Sequence, residues 1–173
     1  MGHDRNVDNP ADLRTVFRLY RPEDKNAFIE LNLDWIEEYF TVEETDREQL
    51  ERLEETILDR GGRIIVAELE GRVVSAGALQ PPPHDPKDGH SWLEIIKLAT
   101  KREHRGKGIG RGVLNCLIAE AKSLGGDAIW LETNTALNSA IRLYEFVGFQ
   151  HLTVEDFWPT PYERCNVQMI LKL

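Results

Sequence analysis

The run Lys101-Arg102-Glu103-His104-Arg105-Gly106-Lys107-Gly108-Ile109-Gly110-Arg111-Gly112 sets four glycines at alternate positions among several cations, between two segments of different periodicity. Upstream, Trp92-Leu93-Glu94-Ile95-Ile96-Lys97-Leu98-Ala99 has the length and branched content of a strand. Downstream, Ile109, Val113, Leu117, Ala121 and Leu124 recur at helical spacing. A strand therefore feeds a helix N-terminus through a glycine-rich loop. The first N–H groups of such a helix lack intrahelical partners and sit at the positive end of its macrodipole. They receive a diphosphate well if no Cβ blocks the approach, and glycine removes that block. The segment reads as a pyrophosphate cradle.

Neither of two familiar phosphate loops fits the spacing. The P-loop requires Lys-Ser or Lys-Thr after a glycine, and none follows here. The dinucleotide fingerprint requires Gly-x-Gly-x-x-Gly, whereas positions 106, 108, 110 and 112 alternate. Arg105, Gly108 and Gly110 do satisfy Arg-x-x-Gly-x-Gly. This resembles the acetyl-CoA-binding motif of the GCN5-related N-acetyltransferase family, whose loop holds the pyrophosphate of coenzyme A. A second match follows one further strand, read at Gly126–Glu132. Asn138-Ser139-Ala140-Ile141-Arg142-Leu143-Tyr144-Glu145-Phe146-Val147-Gly148-Phe149 resembles the family's Asn-x-x-Ala-x-x-Leu-Tyr-x-x-x-Gly-Phe signature position by position. Local chemistry agrees, with Asn138 suited to an N-cap and Gly148 with Phe149 to a C-terminal cap. The two motifs, spaced and in order, are more specific than either alone. The resemblance covers roughly residues 15 to 173 in element order.

The 173 residues are the length of one domain with a sizeable core, and no Pro/Gly/Ser-rich linker divides them. One domain over 1–173 is expected, with 1–13 a loose polar lead-in. The net charge of −9 argues against a nucleic-acid or anionic-membrane partner. Cys116 and Cys165 have no CxxC spacing, and no signal-peptide pattern is present, which fits packed thiols in a reducing cytoplasm. The histidines show no paired ligand spacing, so no metal is expected. No apolar run approaches the ~20 residues of a membrane helix.

Thr15–Tyr20 alternates like a first strand, and helical patterns follow through Ala27–Ile36 and Asp46–Leu58, ending at Gly61-Gly62. Strands at 63–69 and 72–79 flank Glu70-Gly71, a tight hairpin signal. The proline-rich stretch 81–89 reads as a loop. The whole order is strand, two helices, three strands, helix, strand, helix, two strands. That is an α/β arrangement, and the resemblance implies a mixed sheet of about seven strands flanked by about four helices.

The resemblance also implies a chemistry, transfer of acetyl from acetyl-CoA to an amine by direct attack on the thioester. An alkyl ammonium with a pKa near ~10 must lose a proton before it attacks. Glu94, the one carboxylate in the strand before the loop, stands where many family members carry a basic glutamate. Tyr144 matches the family's usual general acid. Backbone groups of Leu98, Ala99 and Thr100 would hold the pantetheine arm, and the cradle would comprise Arg105, Gly106, Lys107, Gly108, Ile109, Gly110 and Arg111. Asn138 would cap its helix and touch the cofactor. Trp35, Tyr39 and Phe40 are candidates for an acceptor pocket, with hydrophobic core as the plain alternative. The aromatic, proline-bearing run Asp156–Val167 reads equally as a wall of that pocket or as a packed surface loop. The expected acceptor is a small-molecule amine, with a peptide or protein amine, a homodimer, and a non-catalytic acyl-CoA sensor on the same fold left open.

Overall fold

A computed structural model describes residues 14–85 and 88–173, so the expected lead-in at 1–13 lies outside the described residues. Seven strands form one open sheet in the order β1-β2-β3-β4-β5-β7-β6. In chain order the elements are β1 (Thr15–Leu19), α1 (Lys25–Tyr39), α2 (Glu44–Glu51), β2 (Arg63–Leu69), β3 (Arg72–Gln80), β4 (Trp92–Thr100), α3 (Ile109–Ser123), β5 (Ala128–Thr133), α4 (Asn138–Val147), β6 (Gln150–His151) and β7 (Val167–Lys172). A single turn of π-helix, Glu54–Leu58, follows α2. The β2–β3 hairpin turns on Glu70 and Gly71, both at positive φ (51° and 78°), as a two-residue primed turn demands.

Apolar residues cover both faces of the sheet. On one, Ile65, Ala67, Val74, Ile95, Ile129 and Leu131 pack against Val113, Leu114 and Leu117 of α3 and Tyr144 of α4. On the other, Ile64, Val66, Ala76, Ala78 and Ile96 pack against Phe28 and Leu31 of α1 and Leu50 of α2. Two-sided burial explains why β2 to β5 read as near-continuous hydrophobic runs rather than alternating ones.

The sheet is interrupted at its centre. β4 has nine residues, yet only Trp92, Leu93 and Glu94 pair with β5, in parallel, opposite Ala128, Ile129 and Trp130. Beyond Glu94 the two strands part. The ladder to β3 also shifts register between Ala76 and Ala78, leaving Lys97 and Leu98 opposite Gly77. Lys97 takes φ 57°, unusual for a residue with a Cβ and costing roughly 1 kcal/mol or more. This bulge sends consecutive residues Ile96 and Lys97 to the α1/α2 face and Leu98 to the α3 face. Gly77 permits it, since a Cβ there would lie 2.8 Å from Leu117 and 3.1 Å from Leu98.

Candidate active site

The gap between β4 and β5 opens into a cavity of about 860 Å³. One end is the loop between β4 and α3. Gly106 and Gly108 there have φ 74° and 81°, and a Cβ on either would meet no protein atom, so both leave room in front of the α3 N-terminus. Gly108 is the residue preceding the first turn of α3 and carries no side-chain cap, leaving the first N–H groups of the helix available. The other two glycines have a packing role. A Cβ on Gly110 would sit 3.0 Å from Thr100 Oγ1, and one on Gly112 would penetrate the Phe17 ring at 2.2 Å. Room for a diphosphate thus comes from two of the four glycines, and close approach of α3 to the sheet from the other two.

The cations of the loop divide in a way that spacing did not reveal. Arg105 donates through Nη1 to Glu38 of α1 at 3.0 Å and through Nε to Thr100 O at 3.1 Å, clasping the loop to its neighbours. Arg111 lies over the Phe146 ring at 4.3 Å, and both line the cavity. Lys107 does not line it, and the Ile109 side chain is buried in the core. Asn138 lines the cavity but is the first helical residue, not the N-cap, which is Leu137 with no side-chain cap bond. The turn before it is closed instead by Asn134, whose Oδ1 accepts from Ala136 N at 2.8 Å. Arg142, one turn after Asn138, also faces the cavity and was not anticipated, although its i+4 spacing from Asn138 was legible.

Leu98, Ala99 and Thr100 line the cavity where β4 has lost its partner strand, so main-chain groups facing β5 have no ladder there. The Tyr144 ring packs 5.8 Å from that of Phe149, and its hydroxyl has no side-chain or backbone partner among the described residues. Burial pushes its pKa up to about 12.

Glu94 is 2% exposed at the last point where β4 and β5 pair. Gln80 Nε2 donates to its Oε2 at 2.9 Å. Burial pushes the Glu94 carboxyl up to about 8, assisted by the nearby charge of Glu132 and opposed by the Gln80 bond. Glu132, on β5 across the gap, was missed from sequence because a strand-end glutamate is ordinarily solvated. It lines the same cavity, its Oε2 is buried without a hydrogen-bond partner among the described residues, and burial raises its pKa. Trp35, Tyr39 and Phe40 all lie on the cavity wall.

The Asp156–Val167 run is held across the sheet. Trp158 stacks on Trp130 with centroids 5.0 Å apart, and its backbone N–H and C=O bond the Gln168 amide at 2.7 and 2.8 Å. That docking carries Tyr162, Arg164 and Cys165 to the cavity. Arg164 makes an end-on pair with Asp46 of α2, Nη1 to Oδ2 and Nη2 to Oδ1, both 2.7 Å. Lys97 Nζ donates to the same Asp46 at 2.9 Å. Burial alone would raise Asp46, but these bonds outweigh it and hold its carboxyl at about 2. The Lys97 bulge thus ends in a buried ion pair with Asp46. Among the described residues no cluster of His, Cys, Asp or Glu is arranged to hold a metal, and no helix is long and apolar enough to cross a membrane.

Known proteins share this fold. The protein of Staphylococcus aureus Mu50 solved as an acetyltransferase of the GNAT family superposes with a TM-score of 0.78 at 20% identity, covering 91% of this chain and 98% of that one. Salmonella typhimurium yncA, solved with its cofactor acetyl-CoA, gives 0.71 at 20% identity over 92% and 94%. In sequence, YjgM of Escherichia coli, an uncharacterized N-acetyltransferase, is 30% identical over 72% of each chain. N-acetyltransferase 8 of Rattus norvegicus is 35% identical over 57% of this chain and 44% of its own, so this chain spans less than half of that relative. The acetyltransferase (GNAT) family model matches residues 29–149, from within α1 through both glycine-bearing motifs to Phe149, and the chain belongs to that family.

Proposed function

We propose that the protein is an acetyl-CoA-dependent N-acetyltransferase that works by direct attack of a bound amine on the thioester. The observation that carries this reading is the β4–β5 gap, which joins a phosphate-sized space at the α3 N-terminus to a buried carboxylate through one cavity. Acetyl-CoA is the co-substrate. Its diphosphate would occupy the space before Gly106 and Gly108, and its pantetheine arm would take the main-chain groups of β4 beyond Glu94.

Glu94 is the base in this reading. With a pKa of about 8 it is ionised in roughly one molecule in ten at pH 7, and only that form removes a proton from the ammonium. The acid limb of the rate profile then sits near pH 8. Tyr144, with its pKa pushed up to about 12, keeps its proton throughout this range and donates a hydrogen bond to the departing sulfur. Glu94 takes the first proton from the ammonium and passes it to solvent; as the nitrogen–carbon bond then forms and the carbon–sulfur bond breaks, the second amine proton passes to Glu94 and the sulfur leaves as a hydrogen-bonded thiolate that takes up a proton from solvent. A small-molecule acceptor is favoured by the burial of Glu94, which is 2% exposed.

Thiol release with acetyl-CoA and a panel of amines tests the reading. Amine-dependent release by the wild type and its loss of roughly 10²-fold in Glu94→Gln are expected. Tight coenzyme A binding without release to any amine would make the protein an acyl-CoA-binding sensor instead.

A further inference from the structure

Lys97 and Arg164 are two cavity-lining cations that the transfer chemistry does not use, and their side chains are only 3% and 14% exposed. The carboxylates that neutralise them lie behind. Asp46 is fully buried and Glu43 precedes α2, and neither lines the cavity. The network therefore presents positive charge to the cavity and keeps its negative charge on the α2 side.

Hydrogen bonding singles out one edge of Arg164. Nη1 donates both its hydrogens, to Glu43 Oε2 at 2.8 Å and Asp46 Oδ2 at 2.7 Å, and Nη2 donates one to Asp46 Oδ1. Nε–H and the second Nη2 hydrogen have no protein partner among the described residues. These two parallel donors form the side edge of the guanidinium, which is the fork a carboxylate accepts in bidentate fashion. The rings of Tyr162, Trp35 and Phe40, at 4.5, 5.8 and 5.8 Å from the guanidinium carbon, restrict its orientation. Lys97 also has a spare ammonium hydrogen, after its bonds to Asp46 and, at 3.5 Å, to the Tyr162 hydroxyl. The carboxylates Glu94 and Glu132 line the same cavity.

We infer that the acceptor is an amine that itself carries a carboxylate, an amino acid or a close analogue, whose carboxylate is received by the free edge of Arg164 beside Lys97 while its amine faces Glu94. The inference rests on the transferase reading above and adds the acceptor class. Trp35, Tyr39 and Phe40 supply an apolar surface for the body of such a molecule.

Matched acceptors differing only in the carboxylate test it: phenylalanine against phenethylamine, and lysine against cadaverine, with thiol release measured at saturating acetyl-CoA. The wild type is expected to favour the carboxylate-bearing member in kcat/KM by about 10- to 100-fold, the size of a charged hydrogen-bond pair. In Arg164→Gln that ratio should collapse towards one through a rise in KM for the carboxylate-bearing member, whereas a merely structural defect lowers both members together. Arg164→Lys, which keeps the charge but loses the fork, should also lose most of the ratio and serves if the glutamine variant does not fold. Equal or better use of the decarboxylated amines by the wild type, or an unchanged ratio in both variants, overturns the inference and leaves the transferase reading standing. Failure to acetylate any amine, in protein that binds coenzyme A by calorimetry, overturns that reading and the inference with it.

Discussion

Replacing Glu94 by glutamine tests the buried base through stability, independently of turnover. Glutamine has nearly the same shape and its carbonyl still accepts from Gln80, so packing and the 2.9 Å bond can persist while the ionisable group is lost. The wild-type carboxyl has a folded pKa of about 8 against an ordinary 4.5. A group raised on folding contributes stability that is fully present below its unfolded pKa and is lost as pH rises through the folded one. The 3.5 units between these two values correspond to about 5 kcal/mol at 1.36 kcal/mol per unit. Relative to Glu94→Gln, the wild type should therefore lose about 1 kcal/mol by pH 5, about 4 by pH 8, and little more above pH 9. Urea unfolding of both proteins at half-unit steps from pH 5 to 9 reads this directly as a difference in midpoint at constant m. Other titrating groups act in both proteins and largely cancel. A stability difference that stays flat across this range would refute a buried, neutral Glu94 and, with it, the placement of the acid limb near pH 8.

Tyr144→Phe keeps the ring against Phe149 and removes a hydroxyl that bonds no protein group among the described residues, so the melting temperature should hold while turnover falls by about one to three orders of magnitude; equal turnover under rate-limiting chemistry would end its role. Gly108→Val forces φ 81° on a branched residue and fills the space before α3, so calorimetry should show coenzyme A affinity reduced by at least about tenfold in folded protein. Gly112→Ala should do the opposite, costing about 1–3 kcal/mol of stability through the Phe17 ring while leaving coenzyme A binding intact. Asp46→Ala strands the Lys97 charge and leaves Arg164 with Glu43 alone, and should cost about 3–5 kcal/mol in denaturant titrations at pH 7. The same group, held at about 2 when folded, contributes stability above its ordinary value near 3.8 that is lost as pH falls through 2, so the variant should lack that part of the wild-type acid transition.

Local rules carried most of the secondary structure into the sequence. The Glu70-Gly71 turn, the glycine pair ending the second helical stretch, Gly148 closing α4 and the helical spacing of Ile109 to Leu124 are signals made by neighbours in the chain, and each element appears within a few residues of its expected place. The two motifs were legible for the same reason, because a helix N-terminus and its glycines are one contiguous piece of backbone. The division of labour among those glycines was not, since Gly112 depends on Phe17, almost a hundred positions away. Nor was the fate of Arg105, taken by Glu38 of α1, or the burial of Glu132, which reads as a solvated strand end until the Trp158 loop folds across the sheet. The parting of β4 from β5 left no proline or glycine within β4 to announce it, because the bulge sits on Lys97 and is held by a charge on α2. Periodicity and capping are set within a turn or two of chain, so the sequence by itself determined the elements, their order and the family. Burial, shifted pKa values and the free edge of Arg164 arise only when segments distant in the chain share one low-dielectric space, and these the tertiary structure decided.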